Sequence, residues 1–240
     1  MTLLRSLCYQ LLFLSWTLLT AVAFLPLLAL ATRRQMQTAA GWWLDGALLL
    51  QKYVLGLSYQ VRGIENLPAG SALIAVKHQS AWETMVFHRL LADPAFVLKR
   101  ELLSLPLIGW YLRKTGQIAI DRTAGVAALR RLLQEGRRAV AEGRRLVIFP
   151  EGHRQQPGHT GRYHSGVFKL YDALAIPAVP VALNSGLFWS RNAFLRPPGR
   201  ITLAFLPPIA PGLDRAAFMQ LLQERIESST RQLENEAAGA

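Results

Sequence analysis

The chain has 240 residues and one cysteine, Cys8. A single thiol closes no disulfide, forms no Cys-x-x-Cys redox pair and supplies no zinc-binding spacing, which fits a reducing compartment. Acidic residues are scarce: 15 Asp and Glu stand against 27 Lys and Arg, a formal charge of +12. No Gly-x-Ser-x-Gly elbow, His-Glu-x-x-His helix, phosphate-binding Gly-x4-Gly-Lys loop or Gly-x-Gly-x-x-Gly turn occurs. Their absence argues against elbow-type serine hydrolases, zinc peptidases, P-loop nucleotidases and simple dinucleotide enzymes. Neither a metal nor a cofactor is expected, and no internal repeat is present.

What is there is apolar and basic. Hydrophobic residues make up 51% of the chain, and the mean hydropathy is +0.20. Grease and positive charge together point to an anionic membrane surface, where each nearby Lys or Arg contributes about 1 kcal/mol. Nucleic acid is the other standard partner for such charge. The basic residues here lie with helices and loops, without the aromatic spacing of a strand-binding module, so no nucleic acid is expected.

From Ser6 to Thr32 no residue is charged, with Arg5 before the run and Arg33 and Arg34 after it. Roughly 20 apolar residues cross a bilayer core, so a membrane-anchoring helix is predicted over about 7–31. A signal peptide has a shorter apolar core, although "ALA" at 29–31 resembles a cleavage site. A second apolar stretch, "WWLDGALLLQKYVLGL" (42–57), is interrupted by Asp45, Gln51 and Lys52. It reads as an interfacial or re-entrant helix with Trp42, Trp43 and Tyr53 at headgroup level.

After Leu57 the pattern changes. "SYQVRG" alternates like a strand, and "SALIAV", "AFVL", "QIAI", "RLVIF", "AVPVAL" and "ITLAFL" are short apolar runs of the buried-strand kind. Helical patterns intervene over 81–92, 125–142, 166–174 and 214–234. In the second of these Val126, Leu129, Leu132, Leu133 and Val140 form the expected buried stripe. Alternating strands and helices predict an α/β fold, a mostly parallel sheet flanked by helices, with the N-terminal helical segment as anchor. The division is 1–57 for the anchor and 58–240 for the second domain. The loop 185–200, aromatic and basic, reads either as a solvated loop or as a second membrane contact.

Four polar clusters each follow a predicted strand: "KHQSAWE", "DR" (121–122), "PEGHR" (150–154) and "NSG" (184–186). In open α/β sheets ligands bind beyond the carboxyl ends of the strands, so the four converge on one site. His78 and Glu83 are five positions apart, which on one helix would separate them by about 140°. They meet if His78 lies on the preceding loop and Glu83 in the first turn. Ser80 with Glu83 three residues on is a capping box, so Glu83 either caps the helix or orients His78. In the second case His78 is a base whose tautomer a carboxylate fixes. No serine or cysteine completes a triad, and the nucleophile is then the substrate's own hydroxyl. In "FPEGHR", Arg154 suits an anion, most naturally a phosphate, while Glu151 either holds Arg154 or bonds a substrate hydroxyl. Arg122, beside Asp121, reads the same way or as a surface ion pair.

Taken in order, "HQSAWE", "GQIAIDR", "FPEGHR" and "IPAVPVAL" resemble the blocks of the glycerophospholipid acyltransferase superfamily, specifically 1-acyl-glycerol-3-phosphate acyltransferases, across about residues 60–185. The resemblance implies that His78 is the general base on the acceptor hydroxyl and Glu83 its orienter. It implies that Arg122, Glu151, Gly152 and Arg154 belong to the glycerol-phosphate site, with Lys169 of "SGVFKL" beside them. The donor it implies is acyl-CoA or acyl-carrier protein, and the acceptor a lysophospholipid acylated to phosphatidic acid. Because such thioesters are cytoplasmic, the domain is expected on the cytoplasmic side of the inner membrane. Two residues depart from the pattern. Glu83 stands where the family usually has Asp; related lipid A acyltransferases resemble this chain in having Glu at that position. His153 stands for the usual Thr. Another lipid acceptor, such as a lyso-ornithine or sugar lipid, is the neighbouring alternative; a non-catalytic basic membrane-attached protein is the alternative of another class.

Overall fold

The computed structural model describes residues 1–121, 123–191 and 193–239. The chain opens with three helices, α1 (Thr2–Ala23), α2 (Leu25–Leu30) and α3 (Arg33–Leu50). The apolar run is therefore not one helix. It breaks at Phe24, and Pro26 opens α2 at a position where a missing N–H costs nothing. Thr32 and Gln35 form a capping box that starts α3, nine residues before the second expected helix. A π-helical turn, Gln51–Leu55, carries α3 to Gly56, whose left-handed φ of +68° ends it.

The rest runs β1 (Leu57–Arg62), β2 (Leu73–Val76), α4 (Trp82–Leu90), β3 (Ala95–Lys99), α5 (Ile108–Lys114), β4 (Ile118–Ile120), α6 (Gly125–Ala141), β5 (Leu146–Ile148), α7 (Gly166–Leu174), β6 (Ala178–Leu183), β7 (Gly199–Phe205) and α8 (Arg215–Ala238). The seven strands pair in the order β1-β7-β6-β2-β5-β3-β4. Every pairing is parallel except β6 with β7. The expected fold class is borne out. The carboxyl ends of β6, β2, β5, β3 and β4 share one edge of the sheet.

Side-chain alternation along the strands splits the core into two layers. Leu73 and Ala75 of β2 join Leu146 and Ile148 of β5 under α6, α7 and α8, against Leu132, Val167, Leu170 and Phe218. Ile74 and Val76 face the other way, with Trp82, Val86 and Phe87 of α4 and with Tyr9, Leu55 and Leu57 from the first 57 residues. The buried face of α6 is centred on Leu132, Gly136 and Ala139. Val126, expected in that stripe, is 67% exposed because it sits in the first turn, beyond the reach of α7.

α1 lies along this body. Near its start Ser6 accepts the Arg196 backbone N–H at 3.0 Å, and Tyr9 packs edge-on against Trp189. In its middle the Trp16 indole donates to the Trp43 carbonyl at 2.8 Å, and the Trp43 indole donates to Thr17 at 3.1 Å. At its end the Ala21 carbonyl accepts the Tyr111 hydroxyl of α5. The aromatic loop 185–200 thus has a third role: Trp189 and Arg196 are buried against the first helix, with Arg196 stacked over the Trp189 and Tyr9 rings. The outward face of α1 carries Leu3, Leu4, Leu7, Leu11, Leu14 and Leu18, all exposed, at helical spacing.

Gly46 is where α3 lets α1 approach. A Cβ there would lie 2.4 Å from the Trp16 ring, whereas one at Gly41 of the same helix meets nothing within 4 Å. The Trp16 ring is pinned by its hydrogen bond, so overpacking at about 1–3 kcal/mol outweighs the helix-propensity gain of about 1 kcal/mol from Gly to Ala. Gly46→Ala should lower the thermal midpoint and Gly41→Ala should hold or raise it, as read by thermal melting of the detergent-solubilised protein.

Candidate active site

The site begins where β2 ends. Lys77, His78 and Gln79 follow the strand directly, and their side chains find partners on alternate sides. His78 turns to one side, where its ring stacks on Phe149 with centroids 4.0 Å apart. Its Nδ1 lies 3.0 Å from Glu83 Oε1. A carboxylate only accepts, so Nδ1 carries the hydrogen and Nε2 presents the lone pair.

Glu83 is fully buried in the first turn of α4. Its Oε1 also accepts the backbone N–H groups of Gln79 at 2.7 Å and Ser80 at 2.6 Å. Its Oε2 accepts the Ser185 hydroxyl at 2.8 Å. The predicted capping pair is present in altered form: Glu83 reaches back to Ser80, but Ser80 Oγ takes the Trp82 N–H, at 3.1 Å, one residue short of a capping box. The helix cap and the histidine orienter are one carboxylate.

The His78 ring opens onto a cavity of about 450 Å³. One wall is apolar, from Phe96, Val97 and Leu98 of β3 and from Leu102, Ile108 and Leu112. Of the apolar stretch 102–112, Leu102, Ile108 and Leu112 face the cavity. Lys99, Arg154 and Arg191 line the cavity with Gly152 and His153, and no carboxylate is among the described residues of its wall. An anion and an apolar chain therefore both have matching surface within reach of His78. His88, also in the wall, is held neutral. Its pKa is lowered to about 4, first by burial and then by Arg144, while Nδ1 lies 2.9 Å from Gln37 Oε1.

Residues 58–184 match the protein-family model described as Acyltransferase. The chain belongs to that family. A 1-acyl-sn-glycerol-3-phosphate acyltransferase of Pseudomonas aeruginosa is 36% identical over 182 residues, covering 75% of this chain and 71% of the relative. The mouse (Mus musculus) 1-acyl-sn-glycerol-3-phosphate acyltransferase alpha is 27% identical over 199 residues, covering 81% and 69%. Among solved structures, the 1-acyl-sn-glycerophosphate (LPA) acyltransferase PlsC from Thermotoga maritima matches 98% of each chain with a TM-score of 0.77. Its sequence identity is 20%, so it speaks for the fold.

Within this acyltransferase fold, the other expected site residues divide. Gly152 and Arg154 line the cavity with His78. The Gly152 φ of +72° is a left-handed turn that glycine takes without strain. Arg122 lies outside the described residues; Asp121, before it, accepts from Thr123 and stands 3.7 Å from Arg100. Glu151 is turned away from the cavity. It is fully buried, with Oε1 bound to Lys77 Nζ at 2.7 Å and to Gly161 N–H at 3.0 Å. Its Oε2 accepts the His78 N–H at 3.1 Å. It holds the backbone of the His78 loop, not Arg154. Lys169 is exposed on α7 and does not line the cavity, because the α7 face toward the sheet is taken by Val167, Phe168, Leu170 and Tyr171. Three residues escaped the sequence reading. Lys77 is a lone cation directly after an apolar strand, a visible signal. Ser185 lay in a noted strand-end cluster without a role. Glu227, whose Oε1 lies 2.8 Å from Lys77 Nζ, is 150 positions from it in the chain and carried no local signal.

Ser185→Ala would leave Glu83 Oε2 buried without its donor, at a cost of about 1–3 kcal/mol. Denaturant unfolding should show that loss, with Ser185→Thr restoring part of it.

Proposed function

We propose that this protein transfers an acyl chain from a thioester to the free hydroxyl of 1-acyl-glycerol-3-phosphate, giving phosphatidic acid. The observation that carries the reading is the His78–Glu83 pair opening onto a cavity with a cationic rim and an apolar wall. The family membership and the names of the relatives support the same acceptor. In this mechanism His78 Nε2 takes the acceptor's hydroxyl proton as that oxygen attacks the thioester carbonyl carbon. The imidazolium that forms faces Glu83, which stabilises it. When the tetrahedral adduct collapses, the carbon–sulfur bond breaks and the thiolate leaves, taking the proton from Nε2. Ester and free thiol are the products, and His78 returns to its starting state. Arg154 and Arg122 bind the acceptor phosphate with the Gly152 turn between strand and cavity, and Leu102, Ile108 and Leu112 take an acyl chain. Glu151 supports this site from behind. The donor is acyl-CoA or acyl-carrier protein.

The chain associates with the membrane through the exposed leucine face of α1. The helix is long and apolar enough to cross a bilayer. Its two ends nevertheless rest on the 58–240 domain and its middle on α3, so a perpendicular crossing would carry polar parts of that domain into hydrocarbon. The reading we favour is a helix lying in one leaflet, with the cavity beside it at lipid-headgroup level. A cytoplasmic thioester places that leaflet on the inner face of the cell membrane.

With both substrates supplied, His78→Ala should lower turnover by about 10²–10⁴-fold, the range for loss of a general base. Glu83→Gln keeps an acceptor oxygen for the helix cap, and should lose much of the turnover with little change in thermal midpoint. Arg154→Ala should raise the acceptor KM. Equal activity of wild type and His78→Ala would overturn the assignment. Product identification by mass spectrometry over a panel of acceptors tests the choice of lysophosphatidic acid.

The depth of α1 can be read from Cys8, which is exposed. A fluorophore on Cys8, or on Leu19→Cys in a Cys8→Ser background, is quenched by lipids labelled at known depths. A helix lying in the leaflet gives equal depths. A crossing helix separates the two positions by about 16 Å along the membrane normal.

A further inference from the structure

The residues on either side of His78 point away from the cavity, toward α8. Lys77 is 1% exposed and Gln79 is 1% exposed. Each is met by a carboxylate of α8. Lys77 Nζ lies 2.8 Å from Glu227 Oε1 and 3.0 Å from Oε2. Gln79 Nε2 donates to Glu234 Oε1 at 2.6 Å. Glu227 and Glu234 are seven positions apart, two helical turns, so they share one face of α8.

The same two carboxylates bind a second segment. Glu227 accepts the hydroxyls of Thr160 and Tyr163, both at 2.9 Å. Glu234 accepts the Gly158 N–H at 3.0 Å. That segment follows the "PEGHR" turn, whose Glu151 completes the cage around Lys77. The Lys77 ammonium therefore sits between two carboxylates, Glu151 and Glu227, both nearly without exposure. Burial, then the two carboxylates, push the Tyr163 hydroxyl well above its usual range, so it remains a donor to Glu227. A buried charge is tolerated only when paired and hydrogen-bonded, and removing one partner is costly. This cluster is built that way, and its bonds converge on the two neighbours of one histidine. The family match ends at residue 184, and α8 begins at Arg215, so α8 lies outside the matched region.

We propose that Glu227 and Glu234 are positioning residues for His78. By gripping Lys77 and Gln79 they fix the backbone on both sides of it, and so the direction in which its ring faces the cavity. The proposal rests on the reading of His78 as the base. Misplacement of a reacting group by about 1 Å costs on the order of 10²-fold in rate, so a grip on the backbone is a grip on turnover.

The test combines kinetics with a signal that needs no substrate. The chain has five histidines, so the Nδ1–H proton of His78 is assignable in ¹⁵N-histidine-labelled protein by its loss in His78→Ala. Glu227→Gln and Glu234→Ala should lower kcat at least tenfold and leave both KM values within about twofold. Both should shift or broaden the His78 Nδ1–H signal while the thermal midpoint stays above the assay temperature. Gln79→Ala, which also takes the acceptor from the Gly186 N–H, should lower kcat at least as far as Glu234→Ala, and the double variant should lose no more than Gln79→Ala. Wild-type kcat and an unmoved His78 signal in folded Glu234→Ala would overturn the proposal, and that half-exposed position decides the matter if Glu227→Gln fails to fold. A wild type inactive in acyl transfer whose His78 signal still responds to both changes would instead leave the grip standing and remove the reading of function beneath it.

Discussion

Glu83 is a carboxylate with no exposure and four donors around it. Two are backbone N–H groups at the start of α4, one is the imidazole of His78, and one is the hydroxyl of Ser185 after β6. A buried acid that lacked these partners would be costly, so the fold must bring all four to one point. That requirement fixes the exit of β2, the entry of α4 and the end of β6 relative to one another. It also removes a conflict visible in the sequence. Capping a helix and orienting a histidine compete for one side chain only if each needs a separate oxygen. Here Oε1 serves both, and Oε2 is free to reach the next strand.

The sheet makes this economical. Five neighbouring strands end along one edge, and the residues that follow β2 send their side chains to alternate sides. His78 faces the cavity and the aromatic wall of Phe149. Lys77 and Gln79 face the carboxylates behind it. The cavity side is cationic and apolar with Glu83 buried beside His78, and the reverse side holds Glu151 and Glu227 around Lys77. α1 packs in the same layer of the molecule as α4, which puts its exposed leucine face and the His78 pair on the same side of the sheet.

Much of this was legible. The strands and helices after Leu57 followed hydrophobic period, and the four strand-end clusters predicted a shared edge. A separation of five between His78 and Glu83 was enough to place one on a loop and the other in a helix. What failed to show in the sequence has physical reasons. The break at Phe24 depends on a single proline early in the next helix, in a run whose hydropathy does not change. Glu151 sits between Pro150 and Gly152, a pattern that reads as an exposed turn. Its burial is set by Lys77, which lies 74 positions earlier. Lys169 shares a motif-like stretch with buried residues, but its position on α7 turns it to solvent. Ion pairs between distant segments leave no periodic trace, so Glu227 could be found only in three dimensions.

The glutamate at position 83, where the family pattern has an aspartate, is also accounted for by this geometry. A side chain shorter by one methylene would have to leave some of its present contacts. To hold His78 it would move toward the loop and away from the Ser185 hydroxyl. To keep Ser185 it would withdraw from the backbone N–H groups of Gln79 and Ser80. The longer acid spans the whole gap without moving the strands, which ties the choice of Glu to the spacing between β2 and β6 rather than to the chemistry at Nε2. Substituting aspartate here is therefore not conservative, even though the charge and its target ring are unchanged.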